Sequence, residues 1–354
     1  MASAAIDQAK FEALFGKTLT EIGGAVSLLI AYVGDRLGLY RAMLATGPAT
    51  NEAIAAQAGI DPRYMREWLS ANAAAGYVEF DEASQVFTLS PEAALIFASE
   101  GDPRCLQGFI QAVKSVYDDE EKSTEAIRTG RGLPWGDRSP ACFCGTDRFF
   151  RPGYAMNLVE GWIPALTGAR AKLEAGAKVA DIGCGHGSST VLMAQAFPNS
   201  QFTGFDFHAP SVEAARAKAE AAGVANASFE VAAAKDFPGG GYDLVCIFDA
   251  LHDMGDPAGA AAHIRQSLAP GGSFMVVEPL AGDRLSDNLH VLGQIFYSVS
   301  TLVCVPASKA QEVGLGLGAQ AGEARLAAIL KEGGFGSVRR AAETETNMVL
   351  EARA

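Results

Sequence analysis

Basic residues are the first shortage. The chain has 354 residues, with 28 Lys+Arg against 41 Asp+Glu and a formal net charge of −13. A surface of that sign repels phosphate backbones and anionic headgroups, which argues against nucleic acid and membranes as partners. Cysteine is scarce too: Cys105, Cys142, Cys144, Cys184, Cys246 and Cys304 are scattered, unlike the dense framework of a secreted disulfide scaffold. Cys142 and Cys144 are too close for ordinary zinc spacing and have no second ligand pair, so no metal is expected. A leader signal is also missing, since MASAAIDQAKFEALFGK has no charged segment followed by an apolar stretch. The longest early apolar run, Ala25 to Val33, is nine residues, against the ~20 that a bilayer requires. A cytoplasmic protein with free thiols is the expectation. Apolar residues are plentiful at 49%, with 19% charged, so wholesale disorder is excluded. At ~150 residues per domain the length suggests two domains.

Phe11 to Leu44 reads as two helices, with Ile22, Val26, Leu29, Ile30, Val33 and Leu37 at helical intervals. Thr50 caps a short helix that Gly59 ends, and Asp61-Pro62 opens another that stops before Gly76. Tyr77 to Phe80 and Val86 to Leu89 form two short strands around a polar turn. Helix, helix, hairpin is a winged helix-turn-helix, placed in a domain over 1–95. Residues 96–168 read as a helical linker with a Gly/Pro-rich break, GRGLPWGDRSP. From 169 to 354 the pattern is α/β, with strands KVADIG, QFTGFD, SFEVA, YDLVCIFD and SFMVVEP separated by Ala-rich helices, then SVRRA and NMVLEA. Five strands and a terminal pair predict a seven-stranded, doubly wound, Rossmann-like sheet behind a mostly helical winged-helix domain. Right-handed crossovers put the parallel strands' carboxyl ends on one edge, where ligands bind.

At the end of the first of these strands stand Asp181, Gly183, Gly185 and Gly187. Alternate glycines let the backbone turn tightly with no Cβ in a ligand's way, and the next helix offers free N–H groups. A dinucleotide fingerprint would need a third glycine where Ser188 stands, which argues against a nicotinamide cofactor. Twenty-three residues after Gly183, Asp206 ends the second strand, where a carboxylate can accept both hydroxyl hydrogens of a ribose.

With AKVADIGCGHGSST, FTGFD, YDLVCIFDALHDMGDP and LAPGGSFMVVEP in place, the chain resembles the class I S-adenosylmethionine-dependent methyltransferases over about residues 170–354. DRLGLYRAM and TNEAIAAQAGIDPRYMREWLSANAAAGYVE are similar to the N-terminal dimerisation domain of bacterial small-molecule methyltransferases. The resemblance implies S-adenosylmethionine as cofactor, a homodimer through the N-terminal domain, and 96–168 as a cover over the active site. It also implies that Gly183, Gly185 and Gly187 approach the methionine part, that Asp181 holds its ammonium, and that Asp206 binds the ribose. Relatives carry an Asp for the adenine amino group where Ala233 stands here. Adenine is therefore expected near backbone groups of Ala234 and Lys235, packed against Phe207 or Phe237, with Asp249 as a further cofactor contact.

Methyl transfer needs an acceptor lone pair in line with the S–CH3 bond, and orientation supplies much of the acceleration. A base matters when the acceptor is a protonated hydroxyl, and less for a thiol. His252 is the candidate base, with Asp253 to orient it. The other reading is that His252 caps a helix or lines the cofactor pocket. His186 is read as a loop residue, and His208 and His263 as helix-surface residues. Arg151, Tyr154, His290 and Tyr297 are the acceptor-side candidates, from two stretches (149–162 and 288–300) whose aromatics could equally be core. Gly314 to Gly322 reads as a mobile flap or a close-packed backbone crossing. A small-molecule acceptor is expected, with a thiol or sulfide ahead of a hydroxyl. A DNA-binding regulator is the remoter alternative, because 30–95 holds four basic residues against eight acidic ones, too little positive charge to anchor phosphates.

Overall fold

A computed structural model describes residues 6–354. The chain divides into two compact units, with the boundary between Lys114 and Ser115. The expected linker over 96–168 is therefore not a third body: its first part belongs to the N-terminal unit and the rest to the sheet-bearing unit.

In the N-terminal unit, α1 (Gln8–Leu37) and α2 (Leu39–Thr46) are separated by Gly38 at φ 70°, a left-handed position that suits glycine. The nine-residue apolar run sits inside α1. This 30-residue helix and the helical stretch Val291–Lys309 are long and apolar enough to cross a membrane, so length does not exclude a span as the run alone suggested. Next come α3 (Asn51–Ala58) and α4 (Pro62–Ala74). Thr50 enters α3 with extended backbone but without a side-chain cap, whereas Asp61 accepts from the amides of Arg63 and Tyr64. Strands β1 (Glu79–Asp81) and β2 (Val86–Thr88) pair antiparallel as a wing shorter than expected. Tyr40, Met65, Trp68, Leu69 and Phe97 form the unit's core. Trp68 donates to Ile30 O at 3.0 Å. A Cβ on Gly34 would meet the Trp68 ring at 2.4 Å, so glycine is required there.

The second unit is built on seven strands: β3 (Lys178–Ile182), β4 (Gln201–Asp206), β5 (Ala227–Val231), β6 (Tyr242–Phe248), β7 (Leu268–Pro279), β8 (Ser337–Glu343) and β9 (Asn347–Arg353). Their order is β5-β4-β3-β6-β7-β9-β8. β3 to β7 run parallel, and β9 lies antiparallel between β7 and β8. The strands are apolar on both faces because two core layers cover them. The order reverses between β3 and β6, so a crevice opens outside their carboxyl ends.

Candidate cofactor and acceptor site

The turn after β3 has Gly183, Gly185 and Gly187 at φ 69°, 52° and 74°. A Cβ on Gly187 would lie 2.8 Å from both Ala215 and the Phe229 ring, so this glycine closes the turn against the fold. Gly185 differs: among the described residues no atom lies within 4 Å of a Cβ built there, leaving its face open to a ligand.

Asp206 accepts from Gly185 N at 2.9 Å through one oxygen and from His208 N at 2.8 Å through the other. Each oxygen keeps a second lone pair. Burial pushes its pKa up despite those two amides. Asp181 is 1% exposed, and its Oδ2 accepts from Ser189 Oγ at 2.7 Å and Thr190 Oγ1 at 2.6 Å. Its Oδ1 is buried with no hydrogen-bond partner among the described residues. Burial raises the Asp181 pKa to about 6, with Ser189 and Thr190 pulling it back and Asp206 adding to the rise. An ionisable oxygen kept dry and unpaired costs free energy until a donor arrives.

Around the adenine position the expectations divide. Phe207 is half exposed, as a ring awaiting a flat partner should be. Phe237 is in the core between Phe205, Tyr242 and His263 and has no face to offer. Ala234 packs on the core beside it. The Lys235 ammonium is paired with Asp256 at 2.7 Å and Glu312 at 3.1 Å, so it points away from a cofactor role.

On the other side of the crevice, Asp249 directly follows β6 with φ 49°, an unfavourable conformation for a residue with a Cβ and one found at functional sites. It accepts from Tyr154 OH at 3.1 Å through Oδ2 and from Asn347 Nδ2 at 2.7 Å through Oδ1, one bond on each oxygen of the carboxylate expected to touch the cofactor. Burial and Glu278 raise its pKa to about 7, against His252 and the two hydrogen bonds. Tyr154 is ringed by Phe150, Trp162 and Phe248 at 5.3–6.0 Å between centroids, and burial beside Asp249 keeps its phenol protonated.

His252 is buried on the short turn Leu251–Asp253. Its Nδ1 lies 2.5 Å from Glu278 Oε2, and Nε2 lies 3.2 Å from Asp253 Oδ1. Burial alone would lower its pKa, but Glu278 and Asp253 outweigh that and raise it well above the ordinary histidine value. With a carboxylate against each nitrogen, His252 holds a proton rather than offering a lone pair. Asp253 is one of two carboxylates on the ring, and Glu278 is the one that orients it.

The remaining candidates scatter. Arg151 lies 3.8 Å from Asp147, which also accepts from Ser188 Oγ at 2.6 Å and Lys218 Nζ at 2.7 Å. His290 is exposed and its Nδ1 accepts from Gly293 N at 3.2 Å, capping the helix that follows. Tyr297 OH stands 3.5 Å from Asn288 Nδ2. The Gly314–Gly322 segment is a close-packed crossing: Gly318 N donates to His252 O at 3.3 Å, and a Cβ on Gly318 would lie 2.8 Å from Ser300 Oγ. His263 Nε2 donates to Phe237 O at 2.9 Å, and His208 Nδ1 lies 2.8 Å from Ser211 Oγ. Sequence reasoning missed Glu278 and Asn347. Only Glu278 carried a signal, as a lone acid at the carboxyl end of the apolar strand SFMVVEP.

Comparison with known proteins agrees with this layout. Residues 173–332 match the model of a methyltransferase domain, and residues 24–98 match that of an Rv2258c-like winged HTH domain. Trans-aconitate 2-methyltransferase of Paracidovorax citrulli is 35% identical over 111 residues, which is 31% of this chain and 42% of that one. Demethylmenaquinone methyltransferase of Thermus thermophilus is 32% identical over 102 residues, 28% of this chain and 46% of that one. The chain thus spans less than half the length of these curated relatives. Among solved structures, mitomycin 7-O-methyltransferase is similar at TM-score 0.73 and 20% identity, covering 98% of this chain and 100% of that one. Human N-acetylserotonin methyltransferase in complex with SAM is similar at TM-score 0.71 and 17% identity, covering 100% and 99%. Identities this low show a shared fold.

Proposed function

From a chain that belongs to the class I S-adenosylmethionine-dependent methyltransferases and carries a winged-helix domain ahead of the methyltransferase domain, we infer methyl transfer to a small-molecule sulfur nucleophile. The observation that carries the cofactor assignment is Asp181 Oδ1, a buried carboxylate oxygen without a donor, one strand-turn away from the open face of Gly185. S-adenosylmethionine brings a primary ammonium, a ribose diol and a methyl group on a sulfonium. Asp181 suits the first and the free lone pairs of Asp206 suit the second, while Phe207 gives adenine a face.

The acceptor reading rests on His252. A protonated ring clamped between Glu278 and Asp253 does not take a proton from a neutral alcohol. A thiol needs no such help, because part of it is thiolate near neutral pH. The aromatic group around Tyr154 then orients the acceptor and excludes water. A hydroxyl acceptor is the second reading. It is favoured by the Glu278 contact, since Glu278 Oε1 is itself held by Leu251 N at 2.9 Å, an arrangement that also aims a base. Incubation of the full chain with labelled methyl donor and a panel of thiols, phenols, carboxylates and amines, read by mass spectrometry, separates them. Thioether products support the first reading, and ether products with unreacted thiols contradict it.

Two copies are proposed to pair through α1. Phe15, Leu19, Ile22, Val26, Leu29 and Val33 recur at alternating steps of four and three and are 38–58% exposed. That is the seam of a coiled coil without its partner helix. Light scattering should give a dimer for the native chain and a monomer for Leu19→Lys/Val26→Lys. A monomeric native chain, or one that binds lipid vesicles instead, contradicts the seam.

A further inference from the structure

We propose that His252, Asp253 and Cys304 form a binding site for a soft divalent cation, zinc above all, with an open coordination position. One ligand atom from each (an imidazole nitrogen, a carboxylate oxygen and Sγ) lies within 4.8 Å of the others. The Nε2–Oδ1 separation is 3.2 Å. Two ligands bound to zinc at ~2.0–2.2 Å in a tetrahedral array stand roughly 3.4 Å apart, so this pair already has the spacing of a chelate.

Three further features favour a metal over a simple ion pair. Asp253 Oδ1 is buried and receives no hydrogen bond in acceptable geometry, although Nε2 is close. The His252 Nδ1 side is held by Glu278, whose second oxygen accepts from Leu251 N. A carboxylate behind a histidine fixes the tautomer that presents Nε2 to a metal. Cys304, buried at the end of the π-helical turn Ser300–Cys304, completes a nitrogen, oxygen and sulfur set that suits zinc better than magnesium or calcium. Arg138, a buried guanidinium, donates through Nη2 to Leu302 O at 2.9 Å and Val303 O at 3.0 Å, and its buried Nε has no partner among the described residues. Three protein ligands leave a fourth position for water or an exogenous ligand. The separation of Cys304 from the His252-Asp253 pair along the chain hides the set from any spacing motif. Binding would displace the proton from Nε2 to solvent, freeing the lone pair for the cation, and so would also take His252 out of proton transfer.

The test uses the full chain after chelation and needs no methyl donor, so it stands apart from the acceptor reading. Calorimetric titration with Zn2+ should give one ion per chain, and Co2+ should show a thiolate charge-transfer absorption. Cys304→Ser should abolish that band, and Cys144→Ser, which alters an exposed cysteine, should keep it. Glu278→Gln should weaken Zn2+ binding about 10- to 100-fold. If Cys304→Ser fails to fold, Asp253→Asn replaces it, with loss of zinc-induced thermal stabilisation as the readout. Absence of stoichiometric Zn2+ binding, or binding undiminished in Cys304→Ser and Asp253→Asn, would overturn the proposal.

Discussion

The two halves of the sheet's carboxyl edge solve the burial of carboxylates in opposite ways. Beyond β3 and β4, Asp181 and Asp206 are steadied by hydroxyls and backbone amides, and each keeps acceptor capacity for a ligand. Beyond β6 and β7, Asp249, His252 and Glu278 face Tyr154, Asn347 and one another, so their hydrogen bonds run to the protein's own side chains. The first half is complementary to a ligand rich in donors, as an ammonium and a diol are. The second leaves shape and aromatic surface to select the acceptor. A buried carboxylate is therefore informative only together with its partners.

The largest effect is expected where the two halves differ most. Asp206→Ala removes a charged acceptor for two ribose hydroxyls, each bond contributing about 1.5–3 kcal/mol. Calorimetry should find S-adenosylmethionine affinity reduced roughly 100- to 10,000-fold. Comparable loss from Asp249→Asn, in the half tied to the protein's own side chains, would erase the distinction. Next, Gly187→Ala forces a Cβ into Phe229 at φ 74°, and strain plus overpacking should cost about 2–4 kcal/mol in denaturant unfolding.

Asp181→Asn should raise the stability of the unliganded protein while weakening cofactor binding. With its pKa near 6 rather than 3.8, the ionised carboxylate costs at most about 3 kcal/mol at neutral pH. The sign follows from proton uptake: between pH 4 and 6 the folded state holds a proton at Asp181 that the unfolded state has lost. Native stability from this group is thus full below about pH 4 and lost as pH rises through about 6. Thermal melts across that range should show the fall in the native chain and its absence in Asp181→Asn. The smallest effect belongs to Tyr154→Phe, which strips one donor from Asp249. It should cost about 1–2 kcal/mol of stability, with cofactor affinity nearly unchanged.

The fold was legible because its signals are local. Each strand from KVADIG to NMVLEA is an apolar run bounded by turn residues, and the winged helix is punctuated by Gly59, Asp61-Pro62 and Gly76. The residues proposed for the cofactor stand out in the sequence for the same reason, since Gly183, Gly185, Gly187, Asp181 and Asp206 all sit at strand ends. The acceptor half does not, because its partners meet only in space. Asn347 reaches Asp249 from β9, Glu278 reaches His252 from β7, and Cys304 approaches from a helical turn. His290 caps a helix, and a polar ring beside aromatics looks the same in sequence whether it caps a helix or faces a pocket.

A crystal structure of the full chain with S-adenosylhomocysteine bound tests the central claim most directly. The account predicts the ligand's amino group within hydrogen-bond distance of Asp181 Oδ1, its ribose hydroxyls on Asp206 and its thioether against the turn at 183–187. A ligand seated elsewhere, or an amino group held by other residues with Asp181 Oδ1 still unpaired, would contradict it.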